Sequence, residues 1–322
     1  MGKLIAFILS LYTTFMGTFN IYFEKDIRIP TFEEVVTSGF EQEPIELTLD
    51  TEEPAEEYTK KEYGRFARDM ELNYWRSCLD TTCQRIYDEV LRNLVGYKDT
   101  FFDFGKSDFT EDQFWKATRA IHMDYPETRM YMTLYYEYDC EMNKAVCCEV
   151  RCGYLWRMWQ YFSPRQMEMT MNAINLVCDS IIARMPDGTN AEKYEYLARE
   201  IARKTTYTDN DEKDYLLRVN YDFSYSYMNG ILLKGKGLCQ AYAQAYQYLC
   251  HRAGLWNITV SGGNHEWNMV KLEDGSTYHV DVTWADGVGG FDEYYFLMTQ
   301  EEAEYDHTIK EGYPEATGES LR

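Results

Sequence analysis

The stretch that decides the fold is GKGLCQAYAQAYQYLCHRAGLWNITVSGGNHEWNMVKLEDGSTYHVDVTWAD, residues 235–286. Cys239 follows Gly235-Lys236-Gly237 and opens a segment rich in Ala, Tyr, Gln and Leu that reaches Arg252, with Gly254 where a helix would stop. The thiol therefore sits at a helix N-terminus. Free backbone N–H groups and the positive end of the helix dipole favour thiolate there, and the same groups can donate to an oxyanion. After Gly254 the pattern turns strand-like: Ile258-Thr259-Val260, then residues 265–272, then residues 277–284, the last two separated by Glu273-Asp274-Gly275-Ser276. This is a hairpin signal with His265 on the first arm and Asp281 on the second.

The turn decides whether those two side chains can meet. A two-residue Asp274-Gly275 loop sets Asp281 opposite Asn268 and leaves His265 and Asp281 on opposite faces. A three-residue loop, Glu273-Asp274-Gly275 with Gly275 left-handed, sets Asp281 opposite Trp267, with His265 its diagonal neighbour on the same face, roughly 7 Å away. Only the second lets a carboxylate hold the imidazole, so it is the register predicted.

Cys239 in GKGLCQAYAQAY, His265 in GGNHEWNMV and Asp281 in YHVDVTW, in that order, resemble the core of the transglutaminase-like superfamily, a papain-related group of thiol enzymes with exported bacterial members. The resemblance is dense over about fifty residues, and three ordered residues in matching contexts are far more specific than a lone cysteine or histidine. It implies an α+β fold in which the nucleophile-bearing helix packs on an antiparallel sheet behind a mixed, helical N-terminal region. It also implies that Cys239 is the nucleophile, His265 the general base and acid, and Asp281 the residue that orients the imidazole. Bare chemistry assigns the same roles: a cysteine–histidine pair attacks a carbonyl carbon, forms a thioester and passes the acyl group to an amine or water. Taken singly, Cys239 reads as a buried structural thiol and His265 as a packed or surface residue; together they read as a triad. His279 shares the Asp281 face and competes as a partner but lacks the matching context. Trp267 and Trp284 read as packing before substrate lining. Gln240 and Tyr227 are the candidates to complete the oxyanion hole. Asp286 and Asp292 read as a solvated loop rather than a cation site.

The expected function is thiol-dependent acyl transfer or hydrolysis at amide carbonyls of proteins or peptides, of transglutaminase, deamidase or cysteine-peptidase type. The alternative from another class is a catalytically retired fold acting as a cell-surface binding or scaffold module. Nothing in the sequence calls for a metal or an organic cofactor, and no calcium-ligand motif is readable. The formal charge of −22 works against nucleic acid or an anionic membrane surface as partner and favours neutral or basic protein substrates.

Outside the decisive stretch, 322 residues with 45% apolar and 16% aromatic content exclude a disordered chain or a coiled coil. Residues 1–25 hold LIAFILSLYTTFMGTFNIYF, twenty uncharged residues after Lys3 and long enough to span a bilayer. A signal peptide and an uncleaved anchor both fit; the lack of a small-x-small site favours the anchor, and a buried apolar helix is the alternative. Either of the first two makes the protein exported, membrane-anchored or secreted, touching the membrane only through this segment. Residues 26–61 are acidic and carry prolines 30, 44 and 54, so they read as an exposed linker. Residues 62–186 form a mixed N-terminal region, with helical spacing over 83–95 and 111–121 and strands over 130–138 and 145–154. Met123-Asp124-Tyr125-Pro126-Glu127 is similar, with less specificity, to a feature upstream of the core in bacterial members, and serves packing or substrate access. Ser163-Pro164 starts a helix, and Thr189 with Glu192 forms a capping box for the next. Residues 187–322 make up the expected catalytic domain. Nine cysteines leave eight to pair if Cys239 is free, and export would permit disulfides. Cys250 lies about three turns along the helix from Cys239 and reads as core.

Overall fold

The computed structural model describes residues 53–97, 99–105, 108–139, 144–152, 154–155, 160–161, 164–208, 224–287 and 289–321. The apolar segment at residues 4–23, most of the acidic stretch, Cys140 and Ser163 lie outside the described residues. Among the described residues no helix is long and apolar enough to cross a membrane. The architecture is α+β.

Helix α1, Thr81–Leu94, is capped by Asp80, whose carboxylate accepts from the Cys83 N–H at 2.8 Å. Its residues Cys83, Ile86, Tyr87, Val90, Leu91 and Leu94 recur at helical spacing and are all buried. Helix α2, Glu111–Asp124, begins with a reciprocal Thr110–Gln113 capping box and packs on α1. Strands β1, Thr100–Asp103, β2, Met132–Asp139, and β3, Lys144–Cys152, form an antiparallel sheet in the order β1-β3-β2. Phe102 and Phe114, ring centroids 4.9 Å apart, join it to α2.

Within the acidic stretch expected to be exposed as far as Lys61, residues 55 and 58 bond to the interior. The Ala55 N–H donates to Asp88 Oδ2 at 2.9 Å, the Tyr58 hydroxyl donates to Asp88 Oδ1, and Arg76 donates to both carboxylate oxygens at 2.7 Å. Tyr58 is buried and stacks on Tyr63. A buried ion pair needs further partners for its remaining lone pairs, and residues 55 and 58 supply them. Composition signalled polarity; it could not signal that two residues inside the stretch complete a distant carboxylate.

Met123-Asp124-Tyr125-Pro126-Glu127 is interior. The Asp124 carboxylate accepts from the N–H groups of Trp75 and Arg76 and from the Tyr87 hydroxyl, each at 2.9 Å. Burial pushes it up to about 6 against those bonds and the Arg68 charge.

Helices α3, Pro164–Ile182, and α4, Asn190–Ala202, follow, the second with the Thr189–Glu192 box in place. Helix α5, Cys239–Arg252, is buried nearly all round. It packs on α4 and on an antiparallel sheet of β4, Asn257–Gly262, β5, His265–Lys271, and β6, Thr277–Val280, in the order β6-β5-β4. Asn268 on β5 donates to the Ala243 carbonyl of α5 at 3.0 Å, so the face carrying Asn268 meets the helix. One apolar cluster runs from Tyr58 to Leu297. A smaller cluster of Leu72, Trp256, Ile258, Val260, Trp267 and Met269 lies on the other face, with Ile309, Tyr313 and Ala316 of the C-terminal segment packed against it. Eight cysteines, 78, 83, 147, 148, 152, 178, 239 and 250, are free thiols, so no disulfide links any described pair. Cys250 is buried core.

Candidate active site

The β5–β6 turn sets the geometry. Thr277 pairs with Lys271, Tyr278 with Val270, His279 with Met269 and Val280 with Asn268, which continues to Asp281 opposite Trp267. The Leu272 N–H donates to the Ser276 carbonyl, leaving Glu273, Asp274 and Gly275 as the loop, and Gly275 has φ +87°. This is the three-residue register. His265, Trp267 and Met269 thus share a face with His279 and Asp281.

The strand expected over 277–284 stops at Val280. Asp281 is the N-cap of a one-turn helix, Val282–Ala285, and its Oδ1 accepts from the N–H groups of Thr283 at 2.9 Å and Trp284 at 3.2 Å. An aspartate that can cap competes with the strand for the chain direction. Capping also aims the carboxylate: Oδ2 lies 2.6 Å from His265 Nε2. Asp281 is wholly buried. Burial opposes its charge, but the bonds from His265 and then His307 outweigh this and hold it below the usual carboxylate range.

Cys239 is the first residue of α5, and its N-cap residue, Leu238, supplies no side-chain cap. Its thiol, 8% exposed, is 4.0 Å from the Asn264 carbonyl and within hydrogen-bond reach of the His265 imidazole. With Nε2 held by Asp281, Nδ1 is the nitrogen left for the thiol. Burial lowers the His265 basicity, but the bonds to Asp281 and Cys239 reverse this and push it up to about 9. Two indoles stack near the ring, Trp284 with its centroid 4.7 Å away and Trp267 5.7 Å away. Trp267 is buried and packs; Trp284 is partly exposed above the imidazole.

The remaining sequence candidates fall elsewhere. His279 accepts at Nδ1 from Trp267 Nε1 at 3.0 Å and so donates from Nε2 to Gln300 Oε1 at 3.1 Å; it is a structural, neutral imidazole. Gln240 donates its amide to the Ser226 carbonyl, and Tyr227 packs against the main core. Asp286 accepts from the Tyr242 hydroxyl at 2.8 Å, and Asp292 caps the short turn Glu293–Tyr295.

Two residues at the site were not among the sequence candidates. The Tyr207 hydroxyl lies within hydrogen-bond reach of the Cys239 backbone N–H and thiol; burial, then the Cys239 sulfur, push its phenol up. His307, buried, places Nε2 3.0 Å from Asp281 Oδ2 and Nδ1 2.6 Å from Asp306 Oδ1. Its ring lies 4.2 Å from that of Trp284 and 4.6 Å from that of Trp267. No local motif marks either position. Tyr207 reaches the site because Thr206 and Tyr207 pair in parallel with Lys236 and Gly237, just before Cys239. His307 reaches it because the C-terminal segment returns across β4: the Lys310 N–H donates to the Ser261 carbonyl. The close approach requires a glycine, since a Cβ on Gly262 would lie 1.4 Å from the Thr308 carbonyl oxygen. His265, Asp281 and His307 present ligand atoms within 4.8 Å of one another, as a metal site would. Their 2.6 and 3.0 Å separations are those of direct hydrogen bonds from imidazole to carboxylate.

No family model matches the chain, and no curated protein matches it. A solved structure described as "Crystal structure of a TGase" is similar with a TM-score of 0.31 and 16% identity, over 60% of this chain and 52% of that one. The chain thus spans about half the length of that structure.

Proposed function

We propose that this protein is a thiol enzyme of the transglutaminase-like kind that transfers acyl groups from amide carbonyls of proteins or peptides to an amine or to water. The observation that carries the reading is the meeting of three groups: a cysteine at the first position of a helix, an imidazole within hydrogen-bond reach of it, and a buried carboxylate 2.6 Å from the far ring nitrogen. The carboxylate holds the Nε2–H tautomer, so Nδ1 takes the thiol proton. The Cys239 sulfur attacks the carbonyl carbon, and the oxyanion faces the N–H groups at the start of α5. His265 then gives its proton to the departing amine or ammonia, leaving a thioester. An incoming amine or water loses a proton to His265 and attacks the thioester, and Cys239 leaves as thiolate.

Crosslinking, deamidation and peptide cleavage differ only in which nitrogen leaves and what attacks second. Partly exposed Tyr207 and Trp284 flank the thiol and imidazole, a rim suited to a peptide. The uncharged segment at residues 4–23 serves to export or anchor the catalytic part, which then acts on extracytoplasmic proteins.

The test incubates wild type and Cys239→Ala with a protein substrate and a primary-amine probe, following amine incorporation, ammonia release and peptide cleavage together. Activity in one channel, lost in Cys239→Ala, is expected and names the subclass. Activity equal in both proteins refutes the nucleophile; silence in every channel leaves the fold as a binding module.

A further inference from the structure

Asp281 has no acceptor position to spare. Oδ1 takes the N–H groups of Thr283 and Trp284, and Oδ2 takes Nε2 of both His265 and His307. A carboxylate with all four lone-pair positions engaged by donors is acceptor only, so both imidazoles carry a proton on Nε2. His265 still has Nδ1 free to act as base toward Cys239. His307 does not, because its Nδ1 faces a second carboxylate, Asp306, at 2.6 Å. A ring nitrogen facing a carboxylate oxygen must donate as well.

We propose that His307 is an imidazolium clamped between Asp306 and Asp281, a positioning residue that fixes the Asp281 carboxylate and sets the pH range over which His265 holds its proton. The inference rests on the thiol-enzyme reading of Cys239, His265 and Asp281. The relay is continuous: Asp306, His307, Asp281, His265, Cys239. His307 and Asp281, at its centre, are buried, so the charge is screened little by solvent. The indoles of Trp267 and Trp284 lie against the His307 ring, a packing that suits a cation. The other titratable groups facing it are Tyr295, which also bonds Asp306, and His279, kept neutral by its bonds to Trp267 and Gln300. The His307 and His265 rings are 5.7 Å apart. A cation there opposes protonation of His265 and offsets part of the Asp281 charge, so removing it makes His265 hold its proton to higher pH.

The test measures the rate of Cys239 alkylation by iodoacetamide against pH on the full chain, read by mass spectrometry of the Cys239 peptide. The upper inflection is assigned to His265 by its disappearance in His265→Ala. His307→Gln keeps an N–H donor for Asp281 but no charge, and Asp306→Asn removes the carboxylate that holds the second proton on His307 at a partly exposed position. Both are expected to move the inflection upward, by about one pH unit for His307→Gln. His307→Leu, with no donor, is expected to lower the alkylation rate as well. Profiles of both His307→Gln and Asp306→Asn that superimpose on wild type would overturn the clamp while leaving the triad standing. Absence of any His265-dependent inflection in wild type would take down both.

Discussion

Asp281 does two things with one side chain. Its Oδ1 ends a strand by capping a one-turn helix, and its Oδ2 receives the imidazole that faces Cys239. Asp281→Asn keeps the size but puts an amide donor where only acceptors fit, so His265 is pushed toward the wrong tautomer. Acyl transfer is expected to fall about 10³–10⁴-fold, measured as the rate of whichever product the wild type forms. The stability profile should change with it. His265 is raised in the folded state to about 9, so its contribution is fully present below its unfolded value near 6.5 and is lost as pH rises through 9. Thermal melts of the wild type should therefore lose stability from about pH 6.5 to 9, and those of Asp281→Asn should lose less. Cys239, His265 and Asp281 were legible in the sequence because each lies in a short context that states its own element: a glycine run before a helix, and two alternating arms around one turn. His307 and Tyr207 were not legible, since their neighbours in sequence are ordinary and their neighbours in space are set by chain returns of 26 and 32 residues, to Asp281 and Cys239.

The elements carry the site through their ends. Helix α5 offers its first turn, β5 its first residue, β6 the residue just beyond it, and the C-terminal segment crosses at Gly262. Gly262→Ala tests that crossing: a Cβ 1.4 Å from the Thr308 oxygen must push the segment off β4 and carry His307 away from Asp281. The expected cost is about 2 kcal/mol or more of stability, by the usual penalty for overpacking, with loss of Cys239 reactivity. A variant as stable and reactive as wild type would show that the segment is not pinned there. The capping boxes, the boundaries of α5 and the β5–β6 register followed from local rules. The early end of β6 was open to the same rules, since aspartate followed by Val-Thr-Trp can cap; the alternating pattern of the arm outweighed that signal.

At the scale of the whole molecule, one core joins the N-terminal helices to the sheet that carries the imidazole. The first described residues belong to that core. Asp88 pairs with Arg76 in the interior and is completed by Ala55 and Tyr58. A chain beginning at Glu62 loses both partners, each bonded to a charged group. It is expected to be less stable than one beginning at Glu53 by on the order of 3 kcal/mol, seen as an earlier midpoint in denaturant. Equal midpoints would mean that water replaces those bonds at no cost. Acidic composition concealed this junction, because two docked residues scarcely alter the charge pattern of a stretch. The −22 formal charge, by contrast, is read directly from the composition.

The most direct test of the central claim needs no substrate. It compares the alkylation rate of every cysteine at neutral pH in wild type and His265→Ala. Cys78 is exposed while Cys239 is 8% exposed, so accessibility alone favours Cys78. If Cys239 is an activated nucleophile paired with His265, it reacts at least about tenfold faster than Cys78 in wild type and loses that advantage in His265→Ala. Cys239 reacting no faster than Cys78, or as fast without His265 as with it, would contradict the account.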